Sequence, residues 1–207
     1  MTPRLILMAA LAFTFTIPAN VQAEVEYVGV LSDYTQTPIQ EAAFSPDGHR
    51  IACAYHRGFA IWDIKSGEIV VRLAGHGDGY WARGMVGGRH DSNNPYIVAL
   101  EFTPDGKRLV SIGDDWTVRI WSTQDGKQLR LIGMPAWPAA GALTPDGKHL
   151  MTSASDCGRR CKRLCLWNIN SGKPVHDFRG TTMGASSISF SGKSGIAATN
   201  GRALIRL

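Results

Sequence analysis

One five-residue turn occurs three times in this chain, and its recurrence limits the fold more than any other feature of the sequence. The copies are Phe44-Ser45-Pro46-Asp47-Gly48, Phe102-Thr103-Pro104-Asp105-Gly106 and Leu143-Thr144-Pro145-Asp146-Gly147. Proline fixes φ and glycine readily adopts a positive φ, so such turns join antiparallel strands. After each turn come a short apolar strand, a strand that ends in tryptophan and a polar turn that contains glycine. Each copy therefore predicts four short antiparallel strands.

The strands that carry this repeat can be placed from the apolar residues. The strands after the turns are predicted over Ile51 to Ala54, Leu109 to Ile112 and Leu150 to Ser153, and the next strands end at Trp62, Trp121 and Trp167. Together with Gly75-His76 before the second copy, this pattern resembles the WD-repeat β-propeller family, whose blades are about 40 to 45 residues long. The resemblance covers most of the chain from Glu26 to Leu207. It implies an all-β propeller of four-stranded antiparallel blades, with three complete blades and a partial fourth.

The resemblance also implies a hydrogen-bonded group of four side chains inside a blade. In the second copy this structural tetrad falls on His76, Ser111, Asp115 and Trp121. The other copies depart from the family pattern. His56 takes the Asp115 position in the first copy, and Met134 stands where the third copy would carry histidine.

A fourth copy begins near the C-terminus and is incomplete. Phe190 starts it, Asn200-Gly201 is a hairpin turn, and Ile205 to Leu207 align with Val118 to Ile120. Two interpretations follow: a fragment of a larger propeller, or a four-bladed ring whose last blade takes its outer strand from Tyr27 to Leu31. We favour the fragment, because the resemblance implies larger rings.

The first 23 residues have the pattern of a secretory signal peptide. Arg4 precedes an apolar run from Leu5 to Ile17, Pro18 ends it, and Val21-Gln22-Ala23 offers small residues for cleavage. A membrane-spanning helix would need about 20 apolar residues, so an uncleaved anchor is the less favoured alternative. We therefore predict a signal peptide over 1–23, a propeller domain over 24–207, and an exported protein that is periplasmic or secreted.

Export changes how the cysteines are interpreted, because disulfides persist in oxidising compartments. Cys157, Cys161 and Cys165 are spaced more widely than the usual metal-binding pairs and have no histidine nearby, so we predict no metal site. A disulfide between Cys157 and Cys161 is predicted to hold the hairpin. Cys165 is then free, or pairs with Cys161 instead.

One face of the disc is predicted to bind a partner. In the family's strand order, the links between blades and the turns between second and third strands share that face. It would carry aromatic and basic residues of the kind that protein-binding hot spots use. They are Tyr80, Trp81, Arg83, Trp116, Trp137, Arg159 and Arg160. The alternative for a single indole is that it folds back over a neighbouring blade.

Charge and motifs narrow the function further. The net charge of +5 is scattered, which disfavours nucleic acid as a partner. Basic residues at 159–163 have two interpretations, a solvated turn or a contact with phosphate or lipid head groups at a membrane surface.

No common catalytic or nucleotide-binding motif is present. We predict a noncatalytic scaffold without a cofactor that binds a protein or peptide. One alternative is an enzyme or small-ligand binder with His76, His90 and Asp115 at the central channel, and another is a truncated chain that never closes.

Overall fold

The computed structural model describes residues 39–55, 58–76, 96–135, 137–154, 163–178, 185–192, 195–200 and 203–206. Outside these residues lie the predicted signal peptide, the predicted strand from Tyr27 to Leu31, the segment from Gly77 to Pro95, and both Cys157 and Cys161. Within the described ranges, no helix has the length and apolar character needed to cross a membrane.

The described residues form fifteen strands in four antiparallel sheets. The first sheet is β1 (Ile39–Phe44), β2 (Arg50–Tyr55), β3 (Gly58–Asp63) and β4 (Ile69–Leu73). The second is β5 (Ile97–Phe102), β6 (Arg108–Gly113), β7 (Thr117–Ser122) and β8 (Gln128–Gly133). The third is β9 (Pro138–Leu143), β10 (His149–Ala154), β11 (Arg163–Asn168) and β12 (Pro174–Phe178), and the fourth is β13 (Ile188–Phe190), β14 (Ile196–Thr199) and β15 (Ala203–Arg206). The prediction of three complete blades and a partial fourth is confirmed.

The repeated turn joins the first two strands of each of the three complete blades by the same set of bonds. In the second blade, Thr103 Oγ1 donates to Asp105 Oδ1 at 2.6 Å and accepts from the backbone N–H of Arg108 at 3.1 Å. Gly106 has a φ of +67°, which a residue with a side chain rarely adopts. The hydroxyl bond from Thr103 is the main cause of a lowered pKa at Asp105. The turn is therefore encoded locally, by residues at fixed spacing.

The blades stack side by side through their faces. The innermost strands β1, β5, β9 and β13 contact one another in that order. We call the face of a blade that packs on the preceding blade its leading face, and the opposite face its trailing face. Phe59 and Ile61, on the trailing face of the first blade, share one buried cluster with Leu109 and Trp121 on the leading face of the second. Similar clusters join the second blade to the third and the third to the fourth. Burial of each such large side chain contributes about 1.5–3 kcal/mol.

The partial blade departs from the sequence alignment in its register. The hairpin of β14 and β15 closes with Thr199 opposite Ala203, as that of β6 and β7 closes with Gly113 opposite Thr117. Counted from this turn, Leu204 takes the place of Val118, and counted from Phe190 it takes the place of Ile120, because each strand of the hairpin is two residues shorter. In neither count does Ile205 align with Val118 as predicted. The shorter strands of the hairpin shift the register, and the sequence alone gives no landmark in β15 with which to detect this.

Candidate functional site

The links between blades and the turns between second and third strands lie on one face, which we call the loop face. Tyr96 lies in the link before β5. Its carbonyl accepts the backbone N–H of Asp114 at 2.9 Å, and its own N–H donates to Asp114 Oδ1 at 2.8 Å. In the next link, the N–H of Met134 donates to the carbonyl of Trp116 at 2.8 Å. Asn200 Oδ1 likewise accepts two N–H groups from the link before β13, at 2.9 and 3.2 Å. The turns and links thus support one another.

Four buried side chains form a continuous chain of hydrogen bonds beneath the loop face. Trp121 Nε1 donates to Ser111 Oγ at 2.8 Å. Ser111 Oγ lies 2.7 Å from His76 Nε2, and His76 Nδ1 lies 2.9 Å from Asp115 Oδ1. A carboxylate only accepts, so we place the imidazole proton on Nδ1 and let Ser111 donate to Nε2. The structure therefore brings together the four residues of the predicted tetrad, and it ties the link after β4 to the second blade.

Asp115 collects further donors around this chain. Thr117 Oγ1 donates to Asp115 Oδ1 at 2.8 Å, and Arg119 Nη2 donates to Oδ2 at 3.3 Å. Burial acts to raise the pKa of Asp115, but the bonds from His76 and Thr117 and the charge of Arg119 together hold that pKa below its usual value. Burial is also the main influence on His76, and it lowers the pKa of the imidazole although Asp115 opposes the shift. His76 is therefore neutral in the folded blade at neutral pH.

The buried histidine is expected to make the fold sensitive to acid. Because the pKa of His76 is lower in the folded chain than its usual 6.5, the unfolded chain binds the proton first. Stability is therefore full above about pH 6.5 and falls as the pH drops below it, with a slope of at most about 1.4 kcal/mol per pH unit for one proton. Urea unfolding at about pH 7.5 and about pH 5.5 measures this. His76→Gln should lose this part of the dependence, and an equal dependence in both proteins would contradict the assignment.

The chain from Ser111 through His76 to Asp115 has the connectivity of a serine-hydrolase triad. The surroundings of this serine differ from those of a hydrolase active site, where substrate must reach the serine oxygen. Ser111 is 0% exposed and His76 is 1% exposed, and the Ser111 oxygen already accepts the Trp121 indole. A substrate carbonyl would have to enter between two packed blades to reach this oxygen. The geometry fits a structural network that holds the link after β4 against the second blade.

The corresponding positions in the other blades hold only part of this network. In the third blade, Trp167 Nε1 donates to Thr152 Oγ1 at 2.9 Å, and the apolar side chain of Met134 is buried where histidine would stand. In the first blade, Cys53 replaces the hydroxyl residue, and Trp62 Nε1 is buried without a hydrogen-bond partner among the described residues. A buried donor left without an acceptor costs about 1–3 kcal/mol.

Cys53→Ser is therefore expected to stabilise the protein by about 1 kcal/mol, because a seryl oxygen at this position accepts the Trp62 indole N–H as Ser111 accepts that of Trp121. This change raises Tm by about 2–4 °C in a chain of this size. Cys53→Ala is the control, since it removes the thiol without adding an acceptor. Equal melting temperatures for the serine and alanine variants would contradict the explanation.

The described part of the loop face contains two of the predicted partner-binding residues. Trp116 lies in the turn between β6 and β7, and Trp137 lies just before β9; both are half-buried. Tyr96 adds a half-exposed aromatic ring to this face. Tyr96 was not among the predicted partner-binding residues, although it follows closely on Tyr80, Trp81 and Arg83 in the sequence. The other predicted residues, Tyr80, Trp81, Arg83, Arg159 and Arg160, lie outside the described residues.

Trp116 is held in a backbone conformation that large residues avoid. Its φ is +64°, in the left-handed region. For a residue with a side chain this region costs roughly 1–2 kcal/mol. The bond between Trp116 and Met134, and the bond from the Thr117 N–H to Asp115 Oδ1 at 3.1 Å, hold the turn in this form. Strain of this kind is concentrated at functional sites. The buried network thus fixes the turn that presents the indole.

The described residues show little that could hold a small ligand or metal. They contain no group of three or more histidine, cysteine or acidic side chains suited to a metal ion. Near the innermost strands, a depression beside Glu101 and Gly141 has no room for a water molecule. Glu101 Oε2 accepts the N–H of Leu143 at 3.0 Å across the blade interface, and burial raises the pKa of this carboxyl. Cys165 is partly buried on β11, 4.0 Å from Asp177 Oδ1.

Comparison with known proteins identifies the repeat. Residues 85–122 match the family described as WD domain, G-beta repeat. WD repeat-containing protein 1 of Gallus gallus is 37% identical over 92 residues, which cover 44% of this chain and 13% of that protein. The WD repeat-containing protein WDS homolog of Arabidopsis thaliana is 24% identical over 134 residues, 63% of this chain and 21% of that protein. The aligned part is thus about a fifth of these relatives or less.

A solved structure shares the fold. Hydrazine Synthase of Kuenenia stuttgartiensis superposes with a TM-score of 0.61 at 17% identity, over 84% of this chain and 44% of that one. At this identity the likeness concerns the fold alone. The match of residues 85–122 to a WD repeat agrees with the four-stranded sheet of β5 to β8 in the second blade.

Proposed function

We propose that this chain, whose second blade is a WD repeat, is a noncatalytic scaffold that binds a protein or peptide on its loop face. The observation that carries the proposal is the strained turn of Trp116, which the buried network of His76 and Asp115 holds in place. A rigidly held indole loses little conformational entropy on binding, and tryptophan is enriched in interface hot spots. Trp137 and Tyr96 add aromatic area on the same face.

The proposal extends to predicted residues outside the described ranges. Tyr80, Trp81 and Arg83 belong to the link that precedes Tyr96, and Arg159 and Arg160 belong to the turn between β10 and β11. By the strand order, the described residues that flank each segment lie at the loop face. The proposed protein is exported, with a signal peptide over 1–23. In an oxidising compartment, a disulfide between Cys157 and Cys161 would stiffen that turn. The basic residues would favour an acidic partner surface.

Partner capture from a cell-envelope extract of the source organism tests the proposal. The double variant Trp116→Ala with Trp137→Ala is expected to lose capture by at least about tenfold, because one hot-spot residue contributes about 2 kcal/mol or more. Val175→Ala is the control, since this residue is 54% exposed near the end of β12 that lies away from the loop face. Undiminished capture by the double variant would overturn the proposal.

A second variant separates binding from folding. Trp116→Gly removes the indole and also relieves the left-handed backbone, so we expect it to melt at or above the temperature of Trp116→Ala. Both variants should capture the partner equally poorly. If capture followed stability across the two variants, the indole would not be the contact.

One observation favours a catalytic alternative, the contact of Ser111, His76 and Asp115 in triad order. A fluorophosphonate probe, which forms a covalent ester with activated serine, distinguishes the two functions. We expect the intact mass of the folded protein to stay unchanged, since Ser111 is fully buried. An adduct on Ser111 would favour the enzyme.

A further inference from the structure

The outer strand of the second blade, β8, carries two exposed leucines. Leu129 is 54% exposed and Leu131 is 49% exposed. The strand register gives the equivalent residues of the other complete blades, which are Val70 and Arg72 on β4, and Val175 and Asp177 on β12. Charged side chains on an edge strand hinder the addition of a further strand. At the place where β4 and β12 carry such a charge, β8 presents Leu131.

One backbone edge of β8 pairs with no other described strand, because β8 is the last strand of its sheet. The N–H of Met134 donates to the carbonyl of Trp116 at the end of the pairing with β7. In an antiparallel pair, residues bonded to the neighbouring strand alternate with residues that are not. Counted from Met134, this alternation directs the backbone N–H and C=O of Leu131 and Gly133 away from β7. These groups can bond an added strand.

Arg130 lies between the two leucines, and its side chain is exposed. Its guanidinium donates to the backbone carbonyl of Ser171 at 3.4 Å, which is a neutral acceptor. The nearby cations Arg119 and Lys127 each pair with an aspartate, whereas the ion pairs among the described residues do not include Arg130. The charge of Arg130 is therefore available to an acidic group that approaches the edge of β8.

The same arginine disfavours a second copy of this chain as the added strand. An antiparallel pairing of β8 with itself that sets Leu129 opposite Leu131 also sets Arg130 opposite the Arg130 of the second copy. Like charges directly opposite each other destabilise a pair of strands, and opposite charges stabilise it. The edge therefore fits an acidic residue at this place better than it fits itself.

We propose that the outer edge of β8 binds an extended segment of a partner protein in which an acidic residue stands between two apolar residues. The segment adds a strand to the second blade through backbone bonds to Leu131 and Gly133. Its acidic residue lies opposite Arg130, and its apolar residues cover Leu129 and Leu131. This site belongs to the outer rim of the blade and is separate from the loop face.

Two peptides with blocked ends test the proposal by isothermal titration into the purified chain. Their sequences are Thr-Val-Glu-Val-Thr and Thr-Val-Lys-Val-Thr. The unaltered chain is expected to bind the glutamate peptide at least about fivefold more tightly than the lysine peptide, because only the glutamate attracts Arg130. Arg130→Glu should reverse this preference. Arg72→Glu makes the same charge change at an exposed place on β4 and should keep the preference of the unaltered chain.

Hydrogen exchange followed by nuclear magnetic resonance tests where the peptide binds. At saturation with the glutamate peptide, exchange of the Leu131 and Gly133 amides is expected to slow by at least about tenfold, because both N–H groups then donate to the added strand. The amide of Arg72 on β4 serves as the control and should exchange at an unchanged rate. Binding without protection at Leu131 and Gly133 would contradict strand addition at β8.

A further variant keeps the test open to failure. Arg130→Gln replaces Arg130→Glu if circular dichroism shows that the latter is unfolded, and it should bind the two peptides equally. The proposal is overturned if the unaltered chain does not bind the glutamate peptide at up to about 1 mM, or if the change at Arg130 leaves the preference as it was. A dimer of the unaltered chain that Leu129→Ser with Leu131→Ser dissociates would also overturn it and assign the edge to a second copy.

Discussion

Asp115→Ala is expected to lower the free energy of unfolding by about 3–5 kcal/mol, the usual cost of removing one partner of a buried charged network. The Asp115 side chain is 4% exposed and accepts from His76, Thr117 and Arg119. Alanine at this position leaves the imidazole N–H and the Thr117 hydroxyl without their acceptor, and it leaves the guanidinium partly buried without its carboxylate. Urea unfolding followed by tryptophan fluorescence measures the loss.

Asp125→Ala is the matched control for this experiment. Asp125 also bonds a basic residue, with its Oδ2 2.9 Å from Lys127 Nζ, but both side chains are largely exposed. Solvent screens such a pair, so the control should unfold close to the unaltered protein. A loss for Asp115→Ala no larger than that of the control would show that the network does not hold the blade.

Gly113→Ala is expected to cost about 3 kcal/mol or more, because it disturbs the same network by crowding. A Cβ at Gly113 would overlap His76 Nδ1 and would lie 2.7 Å from Asp115 Oδ1. The two groups would have to separate, and their 2.9 Å hydrogen bond would break.

Gly133→Ala controls for the loss of a glycine from the same blade. Gly133 ends β8 as Gly113 ends β6, and a Cβ there meets no atom within 4 Å. Thermal unfolding of the two variants should differ by several degrees, with Gly133→Ala near the unaltered protein. Similar melting temperatures would mean that the blade accommodates the methyl group by moving His76 at little cost.

The blades could be predicted from the sequence because their signals are local. The turn at Thr103 to Gly106 closes through bonds between residues at most five positions apart. Trp121 and Ser111 lie on neighbouring strands of one blade. Such spacings repeat from copy to copy, so three copies in the sequence define three blades in the structure.

Features set by contacts over longer distances could not be predicted in the same way. The turn with the positive φ of Trp116 is held in part by the bond to Met134, which lies in the following link and is eighteen residues away. Phe44 and Phe102 have the same place in the repeat, yet only Phe102 is buried. Their difference comes from the position of each blade in the stack. Tyr96 joins the loop face through its pairing with Asp114, eighteen residues away.

Docking of a partner on the loop face beside the indole of Trp116 is tested most directly by photo-crosslinking with that indole left in place. The photoreactive residue benzoylphenylalanine replaces Tyr96, which is half-exposed and bonded to Asp114 in the turn of Trp116, in one protein and Val175, on the outer strand β12, in another. After irradiation with the captured partner, we expect a covalent adduct through position 96 and none through position 175. An adduct through position 175 with none through position 96 would contradict docking on the loop face.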